Sequence, residues 1–445
     1  MEPEDFLSII VITTLIFLIG VLASSSLERN LKKHFRMGLA FKVFGGLSFA
    51  LVYTYYYDYG GDTRVYFSSA QNLLNLAFRK PLIFFELFFN DSLGTLTEFD
   101  FKSLFRFELS SREFFVVKIT SVLALFGLNS YFGTTLMFAL LSFCGTWIFY
   151  LSFTRLYPNL VNELSFAFFY FPSIFFWSSG ISKDSLVLGL MGVSFYFFLL
   201  LSKKFNFFNL LISIICVYII YRIKPYVIFS ILPILIFYFF LNQGKKIQNP
   251  LIRKALVPFI FISGITTGII GLNLLGELNP NYSIENVIKS SQQMQDWHYV
   301  EGANTADNHG RGSSYTLGKY SPSIIGILGI APKAINVSLF RPYFWEVKNV
   351  GMLAAAIESF FTLIFTVFVI LKVGLFRAIK TLIKEETAFI CFAFAMIFLF
   401  FVGFSSYNFG ALMRYKTPAI PFFFTSLIIL MNYASNGTKN TKVIR

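Results

Sequence analysis

Five short stretches hold the residues whose types and spacing could do chemistry. The first is Asp58-Tyr59-Gly60-Gly61-Asp62-Thr63-Arg64-Val65-Tyr66. Two glycines stop an apolar run there, and Asp62 opens a helix expected to reach about residue 79, with Tyr66 one turn on. A carboxylate held at a bilayer surface is partly desolvated, which raises its basicity and suits a general base. Asp62 is the first choice for that role and Asp58 the fallback; the plainer alternative is Asp62 as a helix N-cap. The second stretch runs from Phe171-Pro172 to Ser182-Lys183-Asp184-Ser185. Lys183 suits a phosphate contact and Asp184 a second carboxylate or a metal ligand. Alternatively, Ser182 caps a helix and Asp184 complements its dipole. The third, Tyr221-Arg222-Ile223-Lys224-Pro225-Tyr226, is a tight basic hairpin. Arg222 and Lys224 could clamp a phosphate by charge-assisted hydrogen bonds, or could snorkel beside tyrosines. The fourth is Arg341-Pro342-Tyr343-Phe344-Trp345-Glu346, and the fifth is Arg414-Tyr415-Lys416-Thr417-Pro418. Arg414 stands near the start of an apolar helix, where an ionisable group is a functional candidate by default. Glu358 sits inside an apolar run and needs a partner or a water-filled cavity, unless it is protonated in place. His298 and His309 have no third ligand at useful spacing, so they do not make a zinc site.

The elements that position these residues are membrane helices. Of 445 residues, 56% are hydrophobic, 20% aromatic and only 13% charged. A soluble chain carries about 25% charged residues, and 60 phenylalanines exceed what a soluble core of this length can hide. A bilayer accepts them. The N-terminal Met1-Glu2-Pro3-Glu4-Asp5 lacks a positive flank, so residues 6–23 are expected to be a span, not a cleaved signal. The three cysteines, Cys144, Cys216 and Cys391, all lie in apolar runs and suggest neither disulfides nor metal.

Apolar runs long enough to cross hydrocarbon occur near 6–23, 38–57, 131–153, 161–177, 184–202, 206–221, 225–241, 254–275, 350–371, 387–404 and 412–433. The expectation is an all-α, polytopic transmembrane bundle of about eleven spans forming one domain. Two broken apolar stretches, 114–128 and 323–340, are expected to lie in the interface plane. With that topology one face holds 19 Lys and Arg against four acids, and the remainder holds 18 against 19. Arg29, Lys32, Lys33, Arg36 and Lys42 are counted with the positive face. The whole net charge of +14 therefore falls on one side, which places that side in the cytoplasm, the N-terminus outside and the C-terminus inside. The charge is a topology signal, and no basic-aromatic nucleic-acid motif accompanies it. Two large polar regions, 58–130 and 276–349, then lie outside with the five stretches.

This layout resembles the GT-C superfamily of polytopic glycosyltransferases associated with bacterial polysaccharides. The likeness rests on a span followed by a large first outer loop with an early acid (Asp62, with Tyr66). It rests also on Leu125-Phe126-Gly127-Leu128-Asn129-Ser130, similar to the end of the family's interfacial helix, and on Arg414-Tyr415 with Pro418 and Pro421, similar to a late-helix run. The resemblance implies a polyprenyl-phosphate-linked sugar donor and a glycan, lipid or protein acceptor at the periplasmic face of a bacterial inner membrane, among membrane lipids and without nucleic acid. It implies Asp62 as base, with Arg222, Lys224, Arg341 and Arg414 facing phosphate. It demands no cofactor and leaves a divalent metal open. The first loop lacks an acidic pair beside Asp62, and the helix at 6–23 is extra. Rival expectations are an oligosaccharide polymerase or ligase, a transporter or flippase with ionisable groups near the midplane, and a non-catalytic scaffold.

Overall fold

The structure, a computed structural model, describes residues 3–57, 60–244, 284–304, 313–321 and 323–435. Asp58, the expected span 254–275 and His309 lie outside the described residues. Those residues are helical, with no strand among them and one isolated bridge between Ser314 and Asn408. The chain divides into two compact units, Met1–Ile228 and Phe229–Arg445, each described by itself.

The first unit contains α1 (Pro3–Ala23), α2 (Arg29–Leu51, continued by a wider π turn, Val52–Tyr56), α3 (Asp62–Arg79), α4 (Pro81–Phe85, continued by a π turn, Glu86–Asn90), α5 (Glu98–Leu104) and α6 (Arg112–Phe126). It continues with α7 (Tyr131–Leu156), α8 (Val161–Ser165), α9 (Pro172–Trp177), α10 (Lys183–Lys203) and α11 (Phe207–Ile223), and α12 (Pro225–Gly244) starts in it. The second unit contains α13 (Ile284–Asn304), α14 (Ile324–Phe340), α15 (Val350–Val373), α16 (Leu375–Lys384), α17 (Glu386–Ser405), α18 (Phe409–Tyr415) and α19 (Ile420–Ser435).

Small polar residues start these helices by accepting backbone N–H bonds that the first turn leaves unpaired. Thr97, Ser111, Ser130, Ser182, Asn206, Ser323, Asn349 and Asn408 all do so. Among the described residues, seven helices are long and apolar enough to cross a membrane: Glu4–Ala23, Arg29–Tyr56, Tyr131–Leu156, Lys183–Lys203, Val350–Val373, Glu386–Ser405 and Phe409–Ala434. α11, with 17 residues, spans about 25 Å at 1.5 Å per residue, at the short limit for hydrocarbon. The stretch 161–177 does not form one helix. Phe171 adopts an extended backbone before Pro172, as a residue preceding proline prefers, and this divides the stretch into α8, a π turn and α9.

In the first unit α7 packs against α10 and α2. Glycines allow that closeness: a Cβ on Gly145 would lie 2.2 Å from the Gly189 carbonyl oxygen, so α7 and α10 approach backbone to backbone. Lys42, counted with the positive face, is not at the surface of the first unit. It stands inside α2, fully buried, and its Nζ donates to Ser142 Oγ at 2.9 Å, the Ser178 carbonyl at 3.1 Å and the Ile174 carbonyl at 3.3 Å. α2 starts at Arg29, so Lys42 lies about 20 Å along it.

Candidate functional site

In the first unit, three elements bring two cations and one carboxylate to an open cleft of about 410 Å³. Asp91 ends the π turn after α4 with φ 49° and ψ 38°, a left-handed conformation that aspartate tolerates better than most residues. Its Oδ1 accepts a 2.6 Å hydrogen bond from Lys118 Nζ of α6. Its Oδ2 lies 3.6 Å from an Arg222 terminal nitrogen, at the end of α11. Arg222 also donates to the Tyr218 hydroxyl at 3.1 Å and lies 4.9 Å from the Phe115 ring. Phe88, Phe89 and Phe115 line the cleft with these groups. Lys118 is buried, while Arg222 and Asp91 are partly exposed. One carboxylate shared by two cations leaves a formal excess of one positive charge beside an aromatic wall. Such a site can hold an anionic group carried on an apolar chain, with the guanidinium supplying a forked donor.

Two further ion pairs fix α6, α10 and α11. Lys183 pairs with Glu113, near the start of α6. Partial burial pushes the Glu113 carboxyl up, but its hydrogen bond and charge contact with Lys183 outweigh this, and the net shift is below the usual range. Lys224 pairs with Asp184, with side chains 7% and 0% exposed. The basic hairpin therefore splits. Arg222 faces the cleft, and Lys224 turns inward to anchor the end of α11 to the start of α10. Asp184 is engaged in that buried pair, and no group of three or more metal-ligating side chains occurs among the described residues.

Asp62 is the first residue of α3 and is exposed. The N-cap is Gly61, at φ 84°, where a Cβ would come within 2.7 Å of the Tyr53 ring. That close approach requires glycine, and with the cap at Gly61 Asp62 is the first helical residue and not the cap. Tyr66 is 1% exposed and stacks on Phe107 at 5.1 Å, which makes it a core residue. Arg64 lies 3.5 Å from the Tyr131 ring centroid, and Thr63 shares a 3.0 Å hydrogen bond with the Tyr131 hydroxyl.

The second unit has its own polar cluster. Arg341 Nε donates to both Glu346 carboxylate oxygens, at 3.1 and 3.0 Å, and the Tyr343 N–H donates to Glu346 at 2.8 Å. Burial pushes the Glu346 carboxyl up; the Arg341 hydrogen bonds and the Tyr343 N–H overcome this and hold it below the usual range. Glu358, inside α15, is 3.5 Å from Lys416 Nζ, and both side chains are almost wholly buried. Ser359 Oγ donates to the Arg341 carbonyl at 2.9 Å. Arg414 and Tyr415 are half-buried in α18.

The first unit thus gathers Arg222 with Asp91 and Lys118, and couples Lys183 and Asp184 to structural partners. The second gathers Arg341 with Glu346. Asp91 and Lys118 were not singled out by the sequence, although Lys118 interrupts an apolar stretch and so gives a signal. Lys42 gives the same signal inside the run 38–57. Asp91 gives none, because its role depends on partners 27 and 131 positions away in the chain. No family model, no curated protein and no solved structure matches this chain.

Proposed function

We propose that this chain is an integral membrane glycosyltransferase of about eleven spans. It would move a sugar from a polyprenyl-phosphate-linked donor to a glycan, lipid or protein acceptor at the outer face of a bacterial inner membrane, with the N-terminus outside and the C-terminus in the cytoplasm. The observation that carries the reading is the aromatic-walled cleft with Lys118 and Arg222 sharing Asp91. Its apolar wall suits the prenyl chain and its surplus cation the phosphate.

Asp62 takes the acceptor hydroxyl's proton. The freed oxygen attacks the anomeric carbon, and the bond from that carbon to the phosphate oxygen breaks. The lipid phosphate leaves with one more negative charge, which fixed cations stabilise as it develops. In this reading Arg222 and Lys118, the two cations of the cleft, do so. α3, which begins at Asp62, packs along α6, which carries Lys118. Exposure of Asp62 suits a base that must meet an acceptor from outside the membrane. A single displacement inverts the anomeric centre and needs no nucleophilic side chain. The test is transfer by purified protein in lipid nanodiscs, offered a panel of polyprenyl-phosphate sugars. Asp62→Asn should abolish transfer while membrane insertion stays intact; undiminished transfer removes Asp62 as base.

A second reading, a flippase for lipid-linked saccharides, is favoured by Lys42 in α2 and by the buried Glu358–Lys416 pair. Ionisable groups deep in membrane helices mark translocation paths by default. Reconstituted protein that moves a fluorescent lipid-linked sugar across vesicles without forming a new glycosidic bond would favour it. An oligosaccharide polymerase or ligase would show instead as a product lengthened by several sugars per transfer.

A further inference from the structure

Helix α16 joins two helices that are long and apolar enough to cross a membrane, Val350–Val373 and Glu386–Ser405. Its sequence, Leu375-Phe376-Arg377-Ala378-Ile379-Lys380-Thr381-Leu382-Ile383-Lys384, divides a helical surface into three sectors. Ala378 is buried and Leu382 half-buried, so that sector faces α15, α17 and α19, against which the helix packs. A second sector carries Leu375, Phe376, Ile379 and Ile383, which are 56%, 88%, 47% and 73% exposed. The third carries Arg377, Lys380 and Lys384, all exposed and within about 60° of one another at 100° per residue.

Packing against the second unit uses only the narrow first sector. The four exposed apolar side chains are left uncovered, and water is the wrong surrounding for them. A connector between two spans ends at a membrane face, because both its neighbours do. The apolar sector borders the basic one, as in helices that lie in the headgroup plane with their cations among the phosphates. Charge selects among lipids. Lys372, Arg377, Lys380 and Lys384 are the ionisable residues from 372 to 384, and all are positive. The first acid afterwards, Glu385, accepts a hydrogen bond from the Tyr433 hydroxyl of α19, which engages it with the protein.

We propose that α16 is a binding element for acidic phospholipids, with its apolar sector sunk at the headgroup boundary and Arg377, Lys380 and Lys384 holding lipid phosphates. This reading does not depend on the chemistry assigned to the first unit. Each cation near an anionic leaflet contributes about fivefold to lipid preference, so the three together give about a hundredfold.

The experiment uses full-length protein in nanodiscs and in detergent. Native mass spectrometry should show phosphatidylglycerol retained in preference to phosphatidylcholine by wild type and by the control K203Q/K204Q, which removes two exposed lysines from the end of α10 and its cap. The triple variant R377Q/K380Q/K384Q should lose most of that preference, while its thermal stability in phosphatidylcholine matches wild type. Equal phosphatidylglycerol retention by triple variant and wild type overturns the proposal, and so does a loss as large in the control. A second measurement places the helix. A spin label at Phe376→Cys, with Cys144, Cys216 and Cys391 replaced by alanine, should be reached by dissolved oxygen and not by an aqueous nickel complex. A label open to nickel places α16 in water and overturns the proposal.

Discussion

One short hairpin feeds two sites of opposite character. Arg222 reaches a cleft where it shares Asp91 with Lys118 and remains partly exposed. Two residues later, Lys224 closes on Asp184 with almost no access to solvent. The chemical types are the same, a cation against a carboxylate, and burial decides what each can do. The closed pair has its charges satisfied inside the protein, so its removal should appear as lost stability. The open cluster has one cation in excess and room beside it, so its removal should appear as lost binding.

The closed pair carries the largest expected effect. Lys224→Met leaves Asp184 charged and without that partner in a buried place, and should cost about 3–5 kcal/mol of stability. Thermal unfolding in detergent measures this, and Asp184→Leu combined with Lys224→Met should recover much of it. A single variant as stable as wild type would mean that Asp184 does not depend on Lys224. At the open cluster, Arg222→Ala should leave unfolding within about 1 kcal/mol of wild type. It should weaken binding of a polyprenyl phosphate by roughly tenfold to a hundredfold, the scale of a hydrogen bond to a charged group. The smallest effect belongs to Arg341 and Glu346. The folded Glu346 carboxyl is held below its usual value. The stability it adds is therefore present above the unfolded glutamate value of about 4.3 and is lost as pH falls through the folded value. Glu346→Gln should lower the melting temperature at neutral pH and converge with wild type in acid. A constant gap across that range would contradict the assignment.

Local features were legible in the sequence, and long-range pairings were not. Gly60-Gly61 marks the break before α3, and that helix runs from Asp62 to Arg79 as its composition suggests. The cap at Ser182 is present, because capping is decided within four residues. Helices also form over the two stretches expected to lie in the interface, as α6 and α14. The capping alternative for Asp62 is not met, because α3 takes Gly61 as its N-cap and Asp62 as its first residue. Tyr66 seemed available beside Asp62 but faces the interior, toward Phe107. Glu358 needed a partner, and that partner is Lys416, two residues beyond the arginine chosen from the same run. Residues two apart on a helix face different ways, so about half a turn separates the two readings. Asp91 was invisible because nothing local distinguishes it. Only the meeting of α4, α6 and α11 gives it two cations.

The most direct measurement is equilibrium binding of a polyprenyl phosphate to wild type, Arg222→Ala and Lys224→Met/Asp184→Leu in nanodiscs of uncharged lipid. Binding weakened by roughly tenfold to a hundredfold in Arg222→Ala, with binding kept in the double variant, is the predicted result. Equal binding by wild type and Arg222→Ala would contradict the cleft as the site of the lipid-linked phosphate.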